Sequence, residues 1–96
     1  MIEIILFNQV GTFAENKDIA RDIRLKQIIP ALEEKLSVIL NFEKIESTTQ
    51  SFVHALISDL IRKYGAEVLE KISFKSCHET VKQIITIVID YMQESI

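Results

Sequence analysis

The chain has 96 residues, of which 48% are hydrophobic, 7% aromatic and 26% charged, with a mean hydropathy of +0.20. Lys+Arg 11 against Asp+Glu 14 gives a formal charge of −3, which excludes the basic footprint of a nucleic-acid binder. Two glycines, one proline and one cysteine exclude a linker-rich or disordered chain and an internal disulfide, so one compact domain over residues 1–96, in a reducing compartment, is expected.

The opening Met1-Ile2-Glu3-Ile4-Ile5-Leu6-Phe7 has no basic n-region and is too short for a secretory h-region. No apolar run approaches the roughly 20 residues that a bilayer crossing needs, so a cytoplasmic protein without membrane contact is expected. Ile2 to Phe7 is apolar at every position but one, the pattern of a strand covered on both faces. Asn8 to Asn16, with Gly11, reads as a loop with room for a short extra strand. From Lys17 to Leu36 the periodicity is helical: Ile19 and Ile23 begin a stripe that Leu25, Ile28, Ile29, Leu32 and Leu36 continue. Pro30 lacks the N–H that would bond back toward Lys26, which predicts a kink there.

Ser37 to Phe42 is β-branched and apolar, a second strand. Ser47-Thr48-Thr49-Gln50 fits a capping box opening a helix whose stripe is Phe52, Val53, Leu56, Ile57, Leu60, Ile61 and Tyr64, with Gly65 as its stop. Ser51, Ser58, Asp59, Arg62 and Lys63 fall on the other side of that helix. Val68 to Phe74 alternates loosely, as a third strand would. Ser76-Cys77-His78-Glu79 offers a second capping box, followed by Val81, Ile84, Ile85, Val88 and Met92 at helical spacing. The β-branched run Ile84 to Ile89 favours a strand by propensity, but length and the cap favour a helix. Ile87 and Ile89 lie off its main stripe, so this helix is apolar over more than one face, as burial between elements or a homodimer contact would require. The sum is a βαβαβα order, which implies an α/β fold of parallel strands with helices packed on the sheet.

Few residues carry chemistry on their own. Gly11 and Gly65 stand alone, so there is no phosphate-cradling loop, and no Cys or His pair has metal-ligand spacing. Cys77 and His78 are adjacent and would diverge by roughly 100° on a helix, so they do not form a nucleophile–base pair. His54 could reach Cys77 only through the tertiary fold; locally, Cys77 reads as a small buried residue and His54 as a polar helix-surface residue. Asp22–Lys26 and Asp59–Lys63 stand at i,i+4, the spacing of solvated helix pairs. A non-enzymatic protein with no catalytic residue, metal or cofactor is the expectation. In Ser47-Thr48-Thr49-Gln50-Ser51, four hydroxyls gather where the chain enters a helix. Free amides and the helix dipole favour an anion there, and a phosphate on one of these hydroxyls would be tolerated, although plain capping accounts for them as well.

The stretch from Ser37 to Phe52, SVILNFEKIESTTQSF, resembles the central signature of STAS domains, in which a V-x-L-(N/D)-(L/F) strand leads through a short loop into a helix bearing a serine. In particular it resembles the STAS-like family of uncharacterised bacterial proteins, with Asn41-Phe42 at the strand end and Ser51-Phe52 at the helix start. Ile29-Pro30-Ala31-Leu32, and Ile72-Ser73-Phe74 followed by Ser76-Cys77, are also similar. The resemblance implies a small sandwich with a mainly parallel sheet, and a module that binds partners rather than catalyses. In the related anti-sigma-factor antagonists, a kinase phosphorylates a serine in an Asp-Ser-Ser-Gly motif. Ser51 falls at that place, while Thr49 stands for the Asp and Phe52 for the Gly; Phe52 is expected to pack inward.

The leading expectation is therefore a cytoplasmic regulatory module that docks a protein partner, a histidine-kinase-like ATPase or an anti-sigma factor, through its 47–62 loop-helix region. Ser51 is the phosphoacceptor candidate, and Ser47, Thr48, Thr49, Gln50, Ser51 and His54 are the candidate contacts for a partner or an anion. The alternative is a small-molecule or nucleotide sensor that binds an anion at the helix N-terminus near Thr48–Ser51. A hydrolase using Cys77 or Ser51 lacks an evident base.

Overall fold

A computed structural model of the chain describes residues 1–94. Three short strands, β1 (Ile2–Ile5), β3 (Val38–Asn41) and β5 (Ile72–Lys75), lie side by side in the order β1-β3-β5, all parallel. Phe13–Ala14 (β2) and Ser47–Thr48 (β4) pair separately as a second parallel sheet. The helices are α1 (Phe7–Val10), α2 (Lys17–Ile23), α3 (Ile29–Glu33), α4 (Gln50–Tyr64) and α5 (Glu79–Glu94). A wide π-turn over Arg24–Ile28 joins α2 to α3, and a 3₁₀ segment over Ala66–Lys71 leads into β5. Each parallel pair of main strands needs a crossover, and the helices supply it.

Register decides which side chains the helices cover. Ile4, Leu40 and Phe74 stand in one row and Ile2, Val38 and Ile72 in another, and of these Ile4, Val38, Leu40 and Ile72 are buried. The alternate positions point the other way, where Glu3, Ser73 and Lys75 are exposed and Ile5 is 46% exposed. Strand β1 is thus covered on one face, not on both. The reason lies in the helices, which form one layer with α4 packed between α2 and α5. On the uncovered face Asn41 donates from Nδ2 to Glu3 Oε2 at 2.7 Å, and Lys75 Nζ reaches the same oxygen at 3.2 Å. Asn41, 5% exposed, is thereby satisfied beneath a polar bridge between the two outer strands.

Helical backbone runs without interruption from Lys17 to Glu33, and a widened turn stands directly before Pro30, where a kink is expected. The amide of Ile29 donates to the Arg24 carbonyl, a bond one residue longer than the α-helical one, and Pro30 then sits in the first turn of α3, where a missing N–H costs least. The extra residue moves the apolar stripe. Leu25, expected inside, is 49% exposed, while Arg24 is buried at 8%.

Three further expectations are corrected. Residues 66–71 coil as a 3₁₀ segment, and the third strand begins only at Ile72, where its register with Val38 starts. Helix α5 begins at Glu79, and Ser76 lies outside it with φ 59°, so the second capping box does not form. Ser58, placed on the polar side of α4, is 2% exposed, because α4 is the middle helix and is flanked on two sides. The β-branched run 84–89 is helical, with Val81, Ile85, Val88 and Met92 buried. Within it Thr86 donates from Oγ1 to the Lys82 carbonyl at 2.9 Å, the back-bond that lets threonine sit in a helix. The buried side chains form one cluster that includes Phe42 and Phe52, and the Phe42 ring lies 6.3 Å from that of Phe74.

Candidate partner-binding groove

The site is built from the entry into α4. Ser47 and Thr48 are held in β4, not in a free loop: the Thr48 hydroxyl donates to the Ala14 carbonyl at 2.8 Å, and the Thr49 amide reaches the same oxygen at 3.1 Å. Thr49 then caps the helix, its Oγ1 accepting from the Phe52 amide at 3.0 Å. The expected box between Ser47 and Gln50 is therefore absent, because pairing with β2 moves the helix start two residues along. Ser47, Gln50 and Ser51 are exposed, Thr49 is half-buried and Thr48 is buried. Phe52 is fully buried, so the chain presents no open glycine-like surface beside Ser51. At the far end of α4, Gly65 takes φ 83° and its amide closes on the Ile61 carbonyl at 2.8 Å.

A hollow of about 470 Å³ lies against the first two turns of α4, which contribute Gln50, Ser51, His54 and Ala55. Ile87, Val88 and Tyr91 of α5 line it as well, and so does Lys17, the first residue of α2. The structure thus gathers three of the six candidate contacts, Gln50, Ser51 and His54, into one groove. Ser47, Thr48 and Thr49 are not among its lining residues. Sequence reasoning missed Lys17, Ile87 and Tyr91 as site residues. A signal did exist for Ile87, which is apolar yet off the core stripe of α5. Its side chain is 49% exposed, and that of Tyr91, one turn on, 61%.

Other polar groups serve the frame. Asp59, paired in expectation with Lys63, instead meets Arg24 at 3.2 Å and Arg62 at 3.0 Å. Lys63 reaches across to Glu33 at 3.3 Å, and the Tyr64 hydroxyl donates to the same carboxylate at 2.7 Å. These two contacts, Tyr64 first, hold the Glu33 carboxyl below its ordinary range. Asp22 and Lys26 are 4.0 Å apart, with both side chains well exposed. Cys77 is half-buried and burial pushes its thiol up, away from the reactive thiolate. It lines a hollow with Phe74, Lys82 and Ile85, separate from the groove that holds His54, so the fold does not bring these two residues into one site. Among the described residues no cluster of His, Cys, Asp and Glu is placed to hold a metal ion, and no helix is long and apolar enough to cross a membrane.

A scan against protein families matches residues 20–82, well over half of the chain, to the STAS-like domain of unknown function. The chain belongs to this STAS-like family. No curated protein and no solved structure was found to match it. The matched span of the STAS-like domain takes in β3, β4, all of α4 and β5, and with them Gln50, Ser51 and His54. The lining residues Lys17, Ile87, Val88 and Tyr91 lie outside that span. The groove therefore joins a wall that belongs to the family signature to one supplied by the rest of this chain.

Proposed function

We propose that this STAS-like domain is a non-enzymatic regulatory module of the cytoplasm that docks a protein partner through residues 47–62. The observation that carries this reading is the groove beside the start of α4, where exposed Gln50 and Ser51 adjoin the exposed apolar side chains Ile87 and Tyr91. Exposed apolar side chains that adjoin one another and are rimmed by polar groups mark interaction surfaces or ligand grooves. The resemblance to anti-sigma-factor antagonists supplies the class of partner, a histidine-kinase-like ATPase or an anti-sigma factor. Ser51, exposed in the first turn of α4, is the residue whose phosphorylation would switch the contact by placing charge on this rim.

The sensor reading has less support. Of the four hydroxyls that would hold an anion, Thr48 is engaged with Ala14 and Thr49 with the Phe52 amide. A photo-crosslinking residue at position 51, compared with one at exposed Glu70 in the same cells, tests the docking reading. A discrete crosslinked protein from position 51 alone is expected; equal or absent crosslinking at the two positions removes the proposal. Phosphate-affinity electrophoresis of the chain and of Ser51→Ala, after incubation with a kinase of the histidine-kinase-like ATPase class, tests the switch.

A further inference from the structure

We infer that the groove between α4 and α5 takes an acidic, apolar-bearing segment of the partner chain, with a carboxylate against Lys17 and a large apolar side chain against Ile87, Val88 and Tyr91. This rests on the docking reading above and gives the chemistry of what docks.

Charge comes first. The chain carries −3 overall, yet among the described residues lining the groove Lys17 brings an ammonium and none brings a carboxylate. A basic segment would find no counter-charge among these described lining residues, and an acidic surface elsewhere would hold it better. An acidic segment is repelled by the surface at large and matched here, the arrangement that gives an interface its selectivity and register.

The apolar wall comes second. The buried stripe of α5 is Val81, Ile85, Val88 and Met92, and Ile87 and Tyr91 lie outside it. They stand one turn apart on the rim, 49% and 61% exposed, and with Val88 they offer an aliphatic and aromatic seat for a single large side chain. α4 packs against both α2 and α5, and Lys17 of α2 and the Ile87–Tyr91 pair of α5 line one hollow with its first turns. An acid and an apolar residue close together in one extended segment would reach both.

Size decides between a segment and a folded partner face. At about 470 Å³ the hollow falls in the range that small ligands fill, about 300–1,000 Å³, and accepts a few side chains. A stable pairing with a second copy needs at least about 1,200 Å² of buried surface. Two rim side chains and the mouth of this hollow supply only a small part of that, so a second copy is the weaker occupant.

The test is selection of random dodecapeptides displayed on phage against the whole folded chain, followed by binding of the enriched peptides in solution. Enrichment of Asp or Glu next to Phe, Leu, Ile or Trp is expected. Affinity should fall about tenfold or more with Lys17→Glu and again with Ile87→Ser or Tyr91→Ser, and stay unchanged with Lys71→Glu. All four positions are exposed, so the variants keep the fold, and Lys17→Glu places an acid at a helix start, where it is favoured. Enrichment of basic or neutral peptides, binding indifferent to Lys17→Glu, failure to select any binder, or a dimer in solution that Ile87→Ser disperses would each overturn the inference. Any of these with crosslinking at position 51 intact removes the acidic segment and leaves the docking reading standing; loss of that crosslinking removes the docking reading itself.

Discussion

Arg24 donates from Nη1 to the main-chain carbonyl of Ala55 at 2.6 Å, tying the wide turn of the first crossover to the second turn of α4. Its Nη2 meets Asp59 at 3.2 Å, and its Nε is buried without a hydrogen-bond partner among the described residues. Ala55 lines the groove, so this contact fixes the position of the wall that carries Ser51 and His54. A bond from a charged donor contributes about 1.5–3 kcal/mol, but burying the guanidinium with one N–H unmet offsets part of it. Asp59 keeps Arg62 as a partner when Arg24 is removed.

Arg24→Met, which keeps the aliphatic stem, should therefore cost about 1–2 kcal/mol, and Arg24→Ala, which also leaves a cavity, about 2–4 kcal/mol. Urea denaturation of both variants measures the difference. Equal losses would mean that the charge, rather than the stem, holds the two helices together.

Thr49→Ala should destabilise the protein by about 1 kcal/mol through loss of the α4 cap, whereas Ser47→Ala should change stability by less than about 0.5 kcal/mol. The same denaturation experiment ranks the two. A larger effect at Ser47 would restore the capping box read from the sequence and contradict the β2–β4 pairing.

Phe52 is fully buried where anti-sigma-factor antagonists carry glycine. Phe52→Ala should cost about 3–5 kcal/mol, the range for deleting a buried aromatic ring. A loss below about 1 kcal/mol would place the ring at the surface and bring the rim beside Ser51 closer to that of an antagonist.

Glu3 sets a pH dependence. Hydrogen bonds from Asn41 and then Lys75 hold its carboxyl below the ordinary value of 4.5. A carboxyl lowered on folding stabilises the native state above its ordinary value, and that contribution disappears as the pH falls through the lowered one. In Glu3→Gln the melting temperature should be lower at pH 7 and should fall less steeply on acidification below 4.5. Thermal denaturation of both proteins from neutral to acid pH checks this; parallel curves would show that the bridge across the open sheet face does not titrate.

The periodic elements were legible because each follows from its own side chains. The stripe from Phe52 to Ile61 made α4 readable, and the spacing of Val81, Ile85, Val88 and Met92 outweighed the β-propensity of the residues among them. Leu25 and the third strand misled for physical reasons. One extra residue in the π-turn exchanged Leu25 for Arg24 in the interior, and a loose alternation over 68–71 does not distinguish a strand from a short coil that buries Val68. Half of the groove was also legible. Gln50, Ser51 and His54 lie on one helix, and their proximity needs only the helical repeat.

By itself the sequence determined the alternation of strands and helices, the family, and the helix start that carries Ser51, since these depend on hydrophobic period, local hydrogen bonding and short motifs. Only the tertiary structure decided which hydroxyl caps α4, which face of the sheet stays open, and that Lys17, Ile87 and Tyr91 line one hollow beside that helix. Those outcomes depend on contacts between residues tens of positions apart, and no local pattern encodes a distance that packing alone sets.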